Sequence, residues 1–277
     1  MIRLGRPLGA AAVALCAAGC WSYNYSSPLG PRYTGAAVPQ VLPASRSAAD
    51  TVRVVTFNIQ YAQHVDRAIA LIQSTPELRD ADVMTLQEMD APGTRRIAEA
   101  LHMAYVYYPA CVERHTQRDF GDAILSRWPI VADQKIVLPH HARFDGSERI
   151  ATAATIQIKG SQLRVYSVHL GTQADIGPGS RKDQARAVLA DAAGYPTVVI
   201  SGDMNSHGIG KEFQAAGFHW PTERNPHTDR FWNWDHVFLK GLAARDSAPA
   251  GVVRDTLRAS DHRPVWVVAT FPATASR

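Results

Sequence analysis

Residues 196–205 read Pro-Thr-Val-Val-Ile-Ser-Gly-Asp-Met-Asn. The apolar run at the start of this stretch predicts a buried strand, and two polar side chains, Asp203 and Asn205, follow its carboxyl end. Ligands bind at the carboxyl ends of strands in open α/β sheets. An Asp-x-Asn sequence also builds ordinary turns, so the meaning of this stretch depends on what the rest of the chain places beside it.

Five other short stretches repeat the pattern of an apolar strand with polar residues at its end. The six stretches are Thr56-Phe57-Asn58, Leu86-Gln87-Glu88, Val168-His169-Leu170, Gly202-Asp203-Met204-Asn205, Asn233-Trp234-Asp235-His236 and Ser260-Asp261-His262. If they converge, they place eight polar side chains around one site: Asn58, Glu88, His169, Asp203, Asn205, Asp235, Asp261 and His262. Any one of these residues is more simply explained as a turn, cap or core residue, but six such stretches in one chain favour a shared site.

The residue types in this set are typical of metal-assisted hydrolysis of a phosphate ester. Carboxylate and amide oxygens without clustered cysteines suit Mg²⁺, Mn²⁺ or Ca²⁺ rather than a structural zinc ion. Histidines beside them suit proton transfer or the binding of a phosphoryl oxygen. An Asp paired with a His would hold its tautomer and stabilise the imidazolium. Together these groups are the parts that metal-assisted hydrolysis needs.

Strands and helices mix from Thr51 onwards. Apolar and alternating runs predict strands at 52–57, 82–87, 104–108, 122–126, 130–138, 150–158, 163–168, 198–200, 234–239 and 263–271. Helical spacing predicts helices at 64–73, 92–101, 180–192 and 209–216, with Ser180 as an N-cap. Lys159-Gly160-Ser161 predicts a hairpin. Because strand follows strand in the middle of the chain, we expect two packed sheets with helices outside.

The first 19 residues predict a secretory signal peptide. Arg3 and Arg6 precede a short apolar run, which ends in Ala17-Ala18-Gly19-Cys20. This ending resembles a bacterial lipobox, in which the cysteine becomes a lipidated N-terminus; plain secretion, with Cys20 as a free thiol, is the alternative. Residues 20–50 are rich in Ser, Pro, Gly and Ala and predict a tether, so residues 51–277 are the expected folded domain.

Charge and cysteine content narrow the class of protein further. Removal of residues 1–19 takes away two arginines and no acids, so 27 basic residues remain against 25 acidic ones and the net charge is +2. That balance is not the electrostatic footprint of a nucleic-acid-binding protein, although a local patch is compatible with it. With Cys16 removed and Cys20 acylated, Cys111 alone remains. We expect it to be a small buried residue, and we expect no internal disulfide.

Several of these stretches also occur in the order of a known signature. They are Phe57-Asn58, Gln87-Glu88, Gly121-Asp-Ala-Ile-Leu-Ser-Arg-Trp-Pro-Ile130, Val168-His169-Leu170, Gly202-Asp203-Met204-Asn205 and Ser260-Asp261-His262. This order resembles the endonuclease/exonuclease/phosphatase superfamily, which includes pancreatic-type DNases, abasic-site endonucleases, neutral sphingomyelinases and inositol polyphosphate phosphatases. The resemblance covers residues 52–271. It implies a DNase I-like fold, a four-layer α/β/β/α sandwich of two packed mixed β-sheets with outer helices.

The resemblance implies roles for the residues around the metal and the water. Glu88 resembles the principal metal carboxylate, with Asn58 beside it in the metal shell or on the phosphate. Asp261 resembles a further metal carboxylate or a carboxylate just behind the ligands. Asp203 resembles the residue that orients and deprotonates the attacking water, and Asn205 would fix the phosphate or that aspartate.

The histidines take the remaining roles that the resemblance implies. His262 resembles the histidine that contacts the scissile phosphate, and Asp235 resembles its orienting partner. His169 matches the histidine of DNase-like and sphingomyelinase-like members. Two positions depart from the family pattern: Asp122 stands where an Asn is usual, and Trp234 stands where a small aliphatic residue is usual. Asp122 either adds negative charge near the site or faces solvent.

Two basic stretches leave alternatives open. Arg149, in Ser-Glu-Arg-Ile, resembles a family feature, and an ion pair within the fold is its simpler explanation. The start of the helix at Arg181-Lys-Asp-Gln184 also resembles a family feature, and a solvated helix end explains it equally well. Residues 219–234 carry three tryptophans and Phe231, which form either an apolar rim or part of the core.

The sequence therefore predicts a metal-dependent phosphoester hydrolase with Mg²⁺ as cofactor and Mn²⁺ or Ca²⁺ as alternatives. We expect a nuclease-like phosphodiesterase that acts outside the cytoplasm as a monomer, lipid-anchored to a bacterial membrane, the outer one where there are two. Phospholipid, sphingomyelin or inositol phosphate is the alternative substrate class, and it suits an enzyme tethered to a membrane. A hypothesis of another class is a non-catalytic binding lipoprotein on the same scaffold.

Overall fold

The computed structural model describes residues 22–36, 50–158, 160–244 and 250–272. The predicted signal peptide, Cys20 and residues 37–49 of the predicted tether lie outside the described residues. Within the described ranges, no helix is long and apolar enough to cross a membrane. The strands of this part of the chain form two β-sheets.

The larger sheet is built on strands from both ends of the described chain. Its members are β1 (Tyr23–Asn24), β2 (Tyr33–Gly35), β3 (Thr51–Asn58), β4 (Val83–Met89), β5 (Ala104–Val112), β6 (Asp119–Ser126), β12 (Ala243–Ala244), β13 (Ala250–Val252) and β14 (Val265–Thr270). Their order is β1-β5-β6-β4-β3-β14-β12, with β2 also on β5 and β13 also on β14. The central pair β3 and β4 is parallel, and β14 runs antiparallel to β3. The sheet is therefore mixed.

The smaller sheet comes from the second half of the chain. Its strands are β7 (Ile130–Val137), β8 (Ile150–Ile158), β9 (Ser161–His169), β10 (Val198–Asp203) and β11 (Asp235–Lys240), in the order β11-β10-β9-β8-β7. β9 and β10 are parallel, whereas β8 and β9 are antiparallel and form the predicted hairpin at Gly160. This sheet is mixed as well.

The helices cover the outer faces of the two sheets. They are α1 (Val65–Ser74), α2 (Pro76–Arg79), α3 (Ala91–Leu101), α4 (Pro178–Ala192) and α5 (Gly210–Ala215), with a 3₁₀ turn at His207–Ile209 before α5. The predicted N-cap at Ser180 is wrong, because α4 begins at Pro178 and Gly177 is its cap. Proline suits the first helical turn because the N–H groups of that turn have no acceptor within the helix, so proline loses no hydrogen bond there.

Neighbouring residues of one strand face different layers. Val54 packs in the core between the two sheets, whereas Val55 packs in the core under α1 and α3. Val199 likewise faces the other sheet, and Ile200 faces α4 and α5. Side chains alternate across a strand, so the fully apolar strands are buried on both faces. This arrangement confirms the four-layer α/β/β/α sandwich.

Residues 22–36 differ from the tether that the sequence predicts over residues 20–50. Tyr23 pairs with Val112 and Tyr33 pairs with Tyr107, so β1 and β2 both lie antiparallel to β5. Strands of two and three residues are too short for an alternating pattern to identify them. Part of the predicted tether is therefore built into the larger sheet.

Gly202 allows β10 to lie against β9 near the carboxyl ends of both strands. A Cβ atom at this position would stand 1.9 Å from the carbonyl oxygen of Val168, and the φ angle is +148°. We expect Gly202→Ala to destabilise the fold by about 3 kcal/mol, because backbone atoms must move apart. Urea unfolding measures the effect, with Gly179→Ala as the control, since nothing lies within 4 Å of a Cβ there. Equal midpoints for the two variants would contradict this account.

Candidate active site

Five of the predicted site residues lie at one edge of the two sheets. Asn58, His169 and Asp203 are the last residues of β3, β9 and β10. Asp235 is the first residue of β11 and pairs with Asp203 in the antiparallel ladder. His262 precedes β14, which runs antiparallel to β3. The last two stretches thus stand at the beginning of their strands, as the strands predicted at 234–239 and 263–271 imply.

Glu88 reaches the same edge through a β-bulge. The pairing of β4 with β6 shifts register between Leu86 and Met89, and Glu88 has a φ angle of 57°. A non-glycine residue in the left-handed region costs on the order of 1–3 kcal/mol, and bulges re-aim side chains beside active sites. The bulge brings the Glu88 carboxylate to Asn58 and leaves its side chain 14% exposed.

Backbone and amide N–H groups hold the two central carboxylates. Nδ2 of Asn58 donates to Oε1 of Glu88 at 3.0 Å and to Oδ2 of Asp203 at 3.2 Å. The backbone N–H of Tyr61 donates to Oε2 of Glu88 at 3.1 Å. The backbone N–H of Asn205 donates to Oδ1 of Asp203 at 2.8 Å. Each carboxylate is thus fixed in position by two donors.

Burial shifts the acidity of both carboxylates in the same direction. It raises the pKa of Glu88 above its ordinary value, against the hydrogen bond from Asn58. It also raises the pKa of Asp203 to about 7, against the nearby charge of His262. A general base works best when its pKa lies near the operating pH. Asp203 therefore has the acidity of a base that works near neutral pH.

Two histidines in opposite protonation states face Asp203. Nε2 of His169 lies 3.6 Å and Nε2 of His262 lies 3.7 Å from Oδ2 of Asp203. Burial and the nearby Arg149 lower the pKa of His169 well below its ordinary value. Burial would also lower the pKa of His262, but the charges of Asp235 and Asp203 raise it well above its ordinary value. His169 is thus neutral and His262 is an imidazolium, a separation that assigns different acid–base roles.

Asp235 orients the imidazolium. Its Oδ2 atom lies 2.8 Å from Nδ1 of His262, and its side chain is fully buried. The pairing places a proton on Nδ1 and directs Nε2 toward Asp203. Oδ1 of Asp235 has no hydrogen-bond partner among the described residues. Its negative charge is therefore balanced mainly by His262.

Arg149 and Phe120 form a wall beside His169. Nη1 of Arg149 lies 3.3 Å from Nδ1 of His169, and the guanidinium stands over the Phe120 ring, 5.0 Å from its centroid. The Phe120 ring also packs on the imidazole at 5.6 Å between centroids. Because a guanidinium only donates, this contact leaves the proton of neutral His169 on Nε2. The sequence leaves two alternatives for Arg149 and does not identify Phe120. The one sequence signal for Phe120 is that it precedes the motif that begins at Gly121.

Asp122 is buried among the charges of the site. It is 1% exposed, and its Oδ2 atom has no hydrogen-bond partner among the described residues. Burial raises its pKa well above the ordinary value, and the charges of Glu88 and Asp203 act in the same direction. The alternative in which Asp122 faces solvent is therefore wrong.

The loop after β9 is held by residues of α4 and by Asn205. Nδ2 of Asn205 donates to the Leu170 carbonyl at 2.9 Å. Nε of Arg181 donates to the Gly171 carbonyl at 2.9 Å, and Oε1 of Gln184 accepts from the Gly171 N–H at 2.8 Å. Arg181 is 4% exposed, so the solvated helix end is the wrong alternative. These contacts support the strand end that carries His169.

Asp261 is less closely integrated than the other predicted ligands. Its side chain is exposed, and Oδ1 accepts a hydrogen bond from Oγ of Ser260 at 3.4 Å. Asp203, Asp235 and His262 bring their ligand atoms within 4.8 Å of one another. Asp235 and His262 are already bonded to each other through Oδ2 and Nδ1. Glu88, with its own carboxylate partly exposed, is the more accessible ligand for a cation.

The aromatic residues of 219–234 divide between core and surface. Trp220 is 4% exposed and packs on Phe238, so it belongs to the core. Phe231 and Trp232 are 58% and 55% exposed. The core alternative is therefore correct for Trp220, and Phe231 and Trp232 remain available for an apolar rim. Cys111, as expected, is a buried free cysteine, and burial raises the pKa of its thiol to about 12.

The ordered residues of this site match a known family. The profile described as "Endonuclease/Exonuclease/phosphatase family" matches residues 55–262, which include every predicted site residue. The chain belongs to this family. No curated protein matches the sequence significantly. Membership supports hydrolysis of phosphoester bonds, and divalent metals are the general cofactors of the family.

Solved structures share the fold at low sequence identity. An endonuclease/exonuclease/phosphatase from Bacteroides vulgatus has a TM-score of 0.65 and 15% identity, over 80% of this chain and 99% of that chain. Sphingomyelinase C from Streptomyces griseocarneus has a TM-score of 0.59 and 17% identity, over 80% and 99%. D. rerio TDP2 complexed with single-strand DNA product has a TM-score of 0.58 and 15% identity, over 79% and 99%. At these identities the likeness concerns the fold alone.

Proposed function

We propose that the protein is a metal-dependent phosphodiesterase of the nuclease-like type that acts outside the cytoplasm. The observation that carries this proposal is the position of the Asp203 carboxylate, whose Oδ2 atom lies 3.6 Å from Nε2 of His169 and 3.7 Å from Nε2 of His262. Burial favours the neutral form of His169, and the charges of Asp235 and Asp203 favour the cationic form of His262. A base, a neutral donor and an acid thus face one small volume. Hydrolysis of a phosphodiester needs these three groups around the phosphorus atom.

Glu88 and Asn58 fit a divalent cation. Burial raises the pKa values of Glu88, Asp122 and Asp203, and a cation bound among these carboxyl groups would stabilise their ionised forms. The available ligand atoms are oxygens, which suit Mg²⁺, with Mn²⁺ or Ca²⁺ as alternatives. Asp261 offers a further carboxylate at the exposed rim. When bound, the ion would supply positive charge that stabilises the charge on the phosphoryl oxygens.

The residues of the chain divide the proton transfers among them. Asp203, held by the N–H of Asn205, would orient and deprotonate the attacking water. His169 carries its proton on Nε2 and would donate it in a hydrogen bond to a phosphoryl oxygen. His262 would give its Nε2 proton to the leaving oxygen, while Asp235 stabilises the imidazolium.

A substrate panel tests this function. Purified protein is assayed with Mg²⁺ and with Mn²⁺ on bis(p-nitrophenyl) phosphate, plasmid DNA and sphingomyelin vesicles, and each assay is repeated with chelator. We expect metal-dependent cleavage of the generic diester and nicking of the plasmid. Cleavage of sphingomyelin alone would transfer the proposal to the lipid class, which the exposed Phe231 and Trp232 favour. Absence of divalent-cation binding by calorimetry would revive the non-catalytic binding lipoprotein.

The proposed location depends on Cys20. We expect the wild type to fractionate with membranes and Cys20→Ser to lose that association, because a lipid chain on the cysteine is the proposed anchor. Immunoblots of membrane and soluble fractions measure the change. Identical fractionation of both proteins would remove the anchor from the proposal and leave the hydrolase unaffected.

A further inference from the structure

The first described residues lie at the catalytic end of the larger sheet. Tyr23 pairs with Val112 at the last residue of β5, and the adjacent position, Cys111, pairs with Phe120 of β6. Phe120 packs on the imidazole of His169. Neighbouring strands lie about 4.8 Å apart, so Tyr23 stands about two strand spacings from a residue that lines the site.

Several contacts fix residues 22–36, here called the strap, to the domain. The Ser22 N–H donates to the Asp145 carbonyl at 2.8 Å. The Asn24 side chain donates to the Gly146 carbonyl at 2.8 Å and accepts from the Glu148 N–H at 3.0 Å. Asp145, Gly146 and Glu148 belong to the loop that leads into Arg149. The strap is thus attached to the loop whose last residue contacts His169.

Two further contacts hold Tyr25, near the start of the strap. The Tyr25 hydroxyl donates to Asp119 at 2.9 Å, next to Phe120. The buried Lys135 ammonium donates to the Tyr25 carbonyl, and burial lowers its pKa to about 8. A buried ammonium is retained only where it is well paired. These contacts are those of a folded segment rather than a free tether.

From the site, the strap runs along β5 toward the opposite end of the larger sheet. Gly35 pairs with Tyr105, near the start of β5, and lies beside Glu99 of α3. Seven residues of β5 separate this point from Val112, a distance of about 24 Å at the usual rise per residue. The end of the strap nearest Cys20 in sequence is therefore the end at the catalytic edge.

We propose that the strap holds this catalytic edge against the surface of the membrane, with Tyr23, Arg143 and Phe144 in contact with lipid. The inference rests on the lipid anchor proposed at Cys20. Cys20 precedes Ser22 by two residues, and two residues of chain span at most about 7 Å. A lipid on Cys20 would therefore begin within that distance of a residue that is bonded to the domain.

The surface around Ser22 has the chemistry of a membrane–water interface. Tyr23 and Phe144 are 68% and 69% exposed, and each is adjacent in sequence to one partner of the bond between Ser22 and Asp145. Arg143 is exposed beside Phe144. Aromatic rings settle at the headgroup level of a bilayer, and a basic side chain is attracted to anionic lipid. This small patch, here called the anchor patch, would contact the bilayer that holds the lipid.

Depth-dependent quenching tests this orientation. The lipidated protein is reconstituted into phosphatidylethanolamine/phosphatidylglycerol vesicles that contain a nitroxide-labelled lipid. A fluorophore is attached in turn at Arg143→Cys, in the anchor patch, and at Glu99→Cys, at the far end of β5. Cys111 is buried and does not compete for the label. We expect quenching of the label at 143 to exceed that at 99 by about threefold or more, since about 24 Å separates the two ends of β5.

A spacer variant tests the part played by the strap. A flexible Gly/Ser insertion of about 20 residues between Trp21 and Ser22 keeps the anchor but adds a mean reach of about 25 Å. We expect quenching at 143 to fall to the level at 99. Equal quenching at the two positions in the uninserted protein, or unchanged quenching after insertion, would overturn the proposal. Hydrolysis of bis(p-nitrophenyl) phosphate in solution reports on the proposed enzyme separately, and membrane fractionation of Cys20→Ser reports on the anchor.

Discussion

Glu88→Gln is expected to lower kcat/KM for a phosphodiester by about 10³-fold. The substitution keeps the size of the side chain and removes its charge. It leaves the bulge in place, so the change acts on the cation site rather than on the shape of the edge. Steady-state assays with Mg²⁺ on bis(p-nitrophenyl) phosphate measure the loss.

A second measurement separates metal binding from catalysis. A ligand that binds only the folded state at 100 times its Kd stabilises that state by about 2.7 kcal/mol. We therefore expect saturating Mg²⁺ or Mn²⁺ to raise the Tm of the wild type and to leave the Tm of Glu88→Gln nearly unchanged. The matched control is Glu99→Gln, which removes an exposed acid from the surface of α3. It should keep both the activity and the metal-induced shift.

Two results would contradict this role for Glu88. Turnover of Glu88→Gln within a few-fold of the wild type would show that the carboxylate is not needed for the reaction. A full metal-induced shift in an inactive Glu88→Gln would place the cation elsewhere, and the group formed by Asp203, Asp235 and His262 would be the first alternative.

The sequence predicts the strands of this fold well because most of them are buried on both faces. In the runs Val54-Val55 and Val198–Ile200 neighbouring side chains face different cores, so each run is apolar without interruption. The change from apolar to polar side chains identifies Asn58 and Asp203, which are the last residues of their strands. The sequence therefore predicts the residues closest to the proposed chemistry most directly.

Other parts of the site depend on geometry that has no local pattern. The left-handed residues Gln60, Tyr61 and Ala62 carry no glycine to mark their turn, yet the N–H of Tyr61 binds Glu88. Phe120 looks like any apolar residue of a strand. The strap was predicted as a tether, because its strands are short and its partners lie about 80 residues away in the chain. Long-range pairing of this kind cannot be inferred from composition.

His262→Ala and Asp235→Asn are each expected to lower kcat by about 10³-fold or more. Removal of the imidazole takes away the proton that the leaving oxygen receives. Asp235→Asn keeps the shape of the side chain but replaces the acceptor of the Nδ1 proton, so it lowers the pKa of His262 and releases its orientation. Single-turnover assays on a generic phosphodiester, with and without Mg²⁺, measure each loss.

The double variant decides whether the two residues act as one unit. Groups that work through each other are strongly non-additive, so His262→Ala with Asp235→Asn should be no slower than the slower single variant within a few-fold. A loss close to the product of the two single losses would mean that Asp235 has a separate role. Cation binding would be that role, because Oδ1 of Asp235 is buried and has no hydrogen-bond donor in the part of the chain that the structure describes. Additivity together with a lost metal-induced Tm shift in Asp235→Asn would therefore move Asp235 from the histidine to the metal.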